Sequence, residues 1–198
     1  INLPPQSPFE LVTLDKVDNE RDRVLTYKEY DALIASAAES KLLLLRDFIE
    51  ILYSTGARYS EVMNLLRDDV DFEKKVGTFR DTKNGDDRTI PLADNVLEIL
   101  KRYPFGKTFF RVTSYDSYNW FFNQACKRAG IENFRSHDLR ACFITNALLS
   151  GMSEASVAAI SGHKDYRSMK RYTRIKAQDL IDDVNRISAI RELKKINS

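Results

Sequence analysis

Apolar positions recur at helical spacing through most of the chain and alternate only between Val70 and Pro91. Thr26-Tyr27-Lys28-Glu29 has the form of a capping box and predicts a helix start. The apolar run over 42–52 predicts a second, mostly buried helix that stops at Ser54-Thr55-Gly56. Ser60 is expected to cap the next helix, with Glu61 in its first turn and Val62, Leu65 and Leu66 facing inward. Three β-prone pieces, 70–72, 76–80 and 88–90, surround Asn84-Gly85, a dipeptide suited to a tight hairpin because both positions tolerate positive φ. Helices are expected over 95–103, over 114–129 closed by Gly130, over 136–149 capped by Ser136, and over 153–160 ended by Gly162. Short helical turns around 167–172 and a last helix over 178–197 follow, the latter striped by Leu180, Val184, Ile187, Leu193 and Ile196. The expected class is α+β, mainly α, with a small three-stranded antiparallel sheet. Residues 1–24, with Pro4, Pro5 and Pro8 and little periodicity, read as a linker or arm.

Composition narrows this only a little. With 198 residues, 43% of them hydrophobic, the chain can bury the core of one sizeable domain. Its 31 basic and 29 acidic side chains leave a net charge of +2, so composition alone does not announce a nucleic-acid binder, although charge can be segregated by face. The two cysteines, Cys126 and Cys142, sit in apolar helical stretches and read as buried thiols of a reducing, cytoplasmic compartment. There is no apolar run of about 18 residues to span a membrane and no secretory signal. The chain starts with Ile1, which suggests a fragment whose upstream part is removed.

Candidate chemistry lies at the punctuation between helices. Arg58 stands at a corner after Gly56, with Glu61 three residues on to orient it; a plain surface ion pair fits that position as well. A guanidinium suits phosphate because its fork donates two parallel hydrogen bonds. His137 and Arg140, three apart at a helix start, share a face that suits an anion, while a backbone-bonded histidine in a cap is the bland alternative. Lys83 precedes Asn84-Gly85 at a hairpin tip, either as a solvated lysine or as a cation that swings in to protonate a leaving oxygen. His163 follows Gly162 at a helix stop, and Tyr172 lies between Arg171 and Thr173. Among nine tyrosines, composition cannot choose a nucleophile. No metal-ligand spacing, P-loop or Gly-rich dinucleotide loop is visible.

Taken in order, Thr55-Gly56-Ala57-Arg58-Tyr59-Ser60-Glu61, the hairpin lysine, His137-x-x-Arg140, Gly162-His163 and Tyr172 resemble the tyrosine recombinases, the phage integrase or Xer-type site-specific enzymes. The resemblance spans roughly residues 25–174. It implies the helical catalytic fold of that type over 25–176, a missing N-terminal core-binding domain before the 1–24 arm, and a C-terminal helix over 177–198 exchanged between protomers of a tetramer on DNA. It implies cleavage and rejoining of double-stranded DNA through a 3′-phosphotyrosine, without metal, ATP or cofactor. Arg58 and Arg140 match the phosphate clamp, Glu61 the acidic buttress, Lys83 the general acid, His137 and His163 the two histidine positions, and Tyr172 the nucleophile. Lys74, Lys75 and Arg88 compete with Lys83 for its role. Ala57 and Tyr59 replace the usual larger aliphatics, and Ser161 stands where leucine often precedes Gly-His. Lys127, Arg128, Arg135, Lys164, Arg167, Lys170 and Arg174 are candidate phosphate contacts, or simply a solvated face. A type IB topoisomerase and a helical DNA-binding regulator without chemistry are the rival functions.

Overall fold

A computed structural model describes residues 23–80, 87–110 and 114–163. Helix α1 (Tyr27–Ala38) opens on the expected capping box: the Thr26 hydroxyl accepts from the Glu29 amide at 3.3 Å, and the Glu29 carboxylate accepts from the Thr26 amide at 2.9 Å. Helix α2 (Leu45–Thr55) ends at Gly56, which is left-handed with φ 61°. Helix α3 (Tyr59–Met63) is one short turn, and its N-cap is Arg58 rather than Ser60. The Glu61 carboxylate accepts from the Arg58 amide at 2.6 Å, the backbone half of a capping box, so a carboxylate in the first turn secures the helix start.

Strands β1 (Val70–Asp71), β2 (Val76–Phe79) and β3 (Arg88–Pro91) form an antiparallel sheet in sequence order, with Gly77 opposite Ile90 and Thr78 opposite Thr89. Alternation buries Gly77 and Phe79 on β2 and Ile90 on β3. The Asn84-Gly85 turn lies outside the described residues. Helices α4 (Asp94–Lys101), α5 (Tyr115–Arg128), α6 (Asp138–Leu149) and α7 (Glu154–Ser161) follow among the described residues. Ser114 and Ser153 cap α5 and α7. Ser136 does not cap α6: its buried hydroxyl donates to the Tyr118 hydroxyl at 3.1 Å, and His137 takes the N-cap position. The helical segments expected over 167–172 and 178–197 lie outside the described residues.

Helix α2 is the centre of the core, flanked by α1, α4, α5 and α6. Phe48 is fully buried, with its ring centroid 5.1 Å from Tyr118, 5.2 Å from Tyr59 and 5.3 Å from Phe110. Burial of such a side chain contributes roughly 1.5–3 kcal/mol, which makes this aromatic knot the anchor for the α2–α3 corner. A smaller cluster of Ile144, Ala147, Leu148 and Val157 joins α6 to α7, and α7 also leans on β3. Both cysteines are buried and unbridged. No helix of the described residues is long and apolar enough to cross a membrane.

Candidate active site

Four segments meet at the corner between α2 and α3. Arg140, on the first turn of α6, is buried, and its Nη1 donates to the Gly56 carbonyl oxygen at 2.7 Å. That carbonyl is available because left-handed Gly56 terminates α2 and turns its peptide away from the helix axis. The glycine is also required by space: a Cβ there would overlap the ring of Phe143, one turn along α6 from Arg140. The Arg140 Nη2 lies 3.1 Å from Nδ1 and 3.5 Å from Nε2 of His163. His163 is held from beneath by Ser161, whose buried hydroxyl donates to the Val157 carbonyl at 2.6 Å and lies 2.8 Å from Nδ1. A leucine could do neither, which gives the departure at position 161 a physical account.

Arg58 is fixed differently. Its Nη1 donates to Glu61 Oε1 at 2.7 Å, while its own amide bonds Oε2. The same carboxylate accepts a two-pronged pair from Arg88, Nη1 to Oε1 and Nη2 to Oε2, both at 2.7 Å. Burial alone would push the Glu61 carboxyl up. The Arg88 hydrogen bonds, the Arg58 amide and the two guanidinium charges outweigh it and hold the group down to about 2. Glu61 therefore stays ionised at any pH near neutrality.

Above this corner is a cavity of about 440 Å³ floored by Leu52 and Ala57 and walled by Arg58, Tyr59, Ser60, Tyr115, Ser136, His137 and Arg140. His137 is exposed at the N-terminus of α6, so a histidine, two guanidiniums and the end of a helix dipole surround one concave space. The Tyr59 and Tyr115 rings meet edge-on with centroids 5.0 Å apart and form the apolar wall. Burial, and secondarily Tyr115, raises the Tyr59 phenol, so it stays neutral. Such a site can bind an anion the size of a phosphodiester and spread its charge.

The structure thus brings Arg58, Glu61, His137, Arg140 and His163 together. Lys83, Tyr172, Lys164, Arg167, Lys170 and Arg174 lie outside the described residues. Of the rivals for the lysine role, Lys74 pairs with Asp71 at 3.0 Å, Lys75 pairs with Asp94 at 2.7 Å, and Arg88 grips Glu61. Arg128 is a strap between α5 and α1, donating from Nε to the Ser36 hydroxyl (3.2 Å) and from Nη2 to the Ser36 carbonyl (2.9 Å). Lys127 and Arg135 are exposed. Among the described residues, no cluster of His, Cys, Asp and Glu could hold a metal. Sequence reasoning missed what Arg88 does, although parity could have found it. Residues 88 and 90 share a face of β3, Ile90 points into the core, and an inward-facing arginine requires a partner.

Residues 23–179 match the phage integrase family. The chain belongs to that family. Phage integrase relatives include the shufflon-specific DNA recombinase of Escherichia coli, 32% identical over 183 residues, which covers 90% of this chain and 47% of that protein. The chain thus spans about half of that relative's length. Among solved structures, the catalytic domain of bacteriophage HP1 integrase superposes with a TM-score of 0.66 at 27% identity, covering 82% of this chain and 93% of that one. The Tn1549 transposon integrase, solved in complex with a circular intermediate DNA, superposes with a TM-score of 0.71 at 21% identity, covering 88% and 68%. The mainly helical fold with its three-stranded sheet is therefore that of this family's catalytic domains.

Proposed function

We propose that this chain is the catalytic part of a site-specific recombinase that cuts and rejoins double-stranded DNA through Tyr172. The observation that carries the reading is the convergence of Arg58 and Arg140 on one cavity, with Arg140 bonded to the peptide at Gly56, two residues before Arg58. In this reading the guanidiniums take the non-bridging oxygens of the scissile phosphate, and His137 and His163 flank it. The Tyr172 oxygen attacks phosphorus in line as its proton passes to solvent water. A Tyr172–phosphorus bond forms, the bond to the 5′ oxygen breaks, and Lys83 gives that oxygen a proton. Attack of a 5′ hydroxyl on the phosphotyrosine reverses the step, so the bond energy is conserved and no ATP is consumed. Charge neutralisation and positioning supply most of the catalysis in phosphoryl transfer. Residues 177–198 then dock on a neighbouring copy within a tetramer on DNA.

A nicked suicide duplex tests the chemistry. Wild-type protein accumulates a covalent adduct at the 3′ phosphate, and Tyr172→Phe forms none while still binding the duplex. An adduct that survives Tyr172→Phe overturns the assignment. A plasmid carrying two target sites yields exchanged products; relaxation without exchange points to a topoisomerase.

A further inference from the structure

Arg88 sits outside the phosphate cavity, yet it touches two turns beside it, that of Glu61 and that of Ile160–Gly162. Its side chain is only 12% exposed and its Cζ lies 5.5 Å from the Phe79 ring centroid, so it fills core space beneath the site. Nη1 and Nη2 take the two oxygens of Glu61, the carboxylate that holds the backbone and side chain of Arg58. Nε donates at 2.9 Å to the Ile160 carbonyl, three residues before His163. The guanidinium also rests on the Cα face of Gly162, where a Cβ would lie 3.1 Å from Nη1.

We propose that Arg88 is a positioning residue of the active site, a single guanidinium that sets Arg58 through Glu61 and sets His163 through the Ile160–Gly162 turn. The inference rests on the proposed cleavage chemistry for its kinetic consequence, but its geometric content stands on the fold alone. Three N–H groups in one rigid plane serve two segments with a sequence separation of 72 between Arg88 and Ile160 and of 27 between Arg88 and Glu61. Because His163 in turn lies against Arg140, both halves of the anion clamp take their reference from the first residue of β3. A lysine keeps the charge opposite Glu61 but is a single point donor on a flexible stem, so it cannot hold the carboxylate fork and the carbonyl together.

The test compares wild type, Arg88→Lys and Arg88→Met in the full chain. Single-turnover cleavage of the nicked suicide duplex is measured at saturating DNA, well below each melting temperature, and scaled to the folded fraction. Affinity for the duplex is measured in the Tyr172→Phe background. Arg88→Lys is expected to remain folded, to bind DNA within about threefold of its parent, and to cleave on the order of 10- to 100-fold more slowly, the scale of a misplaced catalytic group. Arg88→Met is expected to be at least as slow. Cleavage by Arg88→Lys at the wild-type rate overturns the proposal, as does a loss that vanishes on scaling to folded protein, because both leave Arg88 a mere structural ion pair. A second readout needs no chemistry. The chain has only two histidines, so imidazole NMR resolves His163 from His137. In Arg88→Lys the His163 ring resonances shift, and unchanged resonances overturn the proposal. If wild-type protein forms no adduct on DNA, the cleavage reading fails, and the NMR result alone decides whether Arg88 positions His163.

Discussion

The carbonyl oxygen of Gly56 accepts a 2.7 Å hydrogen bond from the guanidinium of Arg140, 84 positions away. Arg58 is the next residue but one, so the corner that displays one arginine is the anchor point of the other. Gly56→Ala should damage both. It forces a non-glycine residue to φ 61° and drives a methyl group into the Phe143 ring. A cost of about 1–3 kcal/mol follows, read as a lower denaturant midpoint, with a fall in suicide-duplex cleavage that exceeds the loss of folded protein.

Stability should fall in acid partly through Glu61. Its folded value of about 2 lies below the ordinary 4.5, so its contribution is fully present above the ordinary value and drains away as pH drops toward 2. The shift corresponds to at most about 3 kcal/mol. Glu29 behaves in the same direction: the Arg23 side chain first, then the Thr26 amide, hold it down to about 2, but it is more exposed. Chemical denaturation at pH 7 and pH 3 checks this. Glu61→Gln should be less stable at pH 7 and show a flatter decline, while Glu29→Gln should flatten it less.

The thiols should be inert in the native state. Burial pushes Cys126 up to about 12 and Cys142 up to about 11, so almost no thiolate exists at pH 8. Iodoacetamide at pH 8 should label neither cysteine in folded protein and both in denaturant, counted by mass spectrometry. Rapid native labelling of either one contradicts the packing of α5 or α6.

Arg128 and Lys127 should separate cleanly despite being neighbours. Arg128→Ala removes the two hydrogen bonds to Ser36, costs about 1 kcal/mol of stability, and leaves the salt dependence of DNA binding unchanged. Exposed Lys127 is proposed as a phosphate contact, and Lys127→Ala should reduce the slope of log affinity against log salt by about one. Fluorescence titrations at several salt concentrations give both slopes.

What the sequence made legible was local. Thr26 with Glu29, the alternation through 76–80 and 88–90, and Gly56 and Gly162 at helix stops each act within a few residues, so pattern and backbone chemistry suffice to place them. The ordered motifs also point Arg58, Glu61, His137, Arg140 and His163 to one site, and these five lie together in the fold. What stayed hidden was the partner of each long or polar side chain. Ser136 looks like a cap until Tyr118 is placed beside it, and exposed Arg128 looks like a plain surface cation until Ser36 of α1 is placed beside it. Arg88 looks like a rival proton donor for the same reason: a guanidinium on its long stem reaches a neighbouring element, and no local rule says which element that will be.

The left-handed turn at Gly162 has one more consequence. The Arg88 guanidinium occupies the space where a side chain at that position would begin. The end of α7 is therefore shaped around a methyl group that is missing, and restoring it would strain the backbone at φ 74° and push the Arg88 guanidinium aside by a few tenths of an ångström.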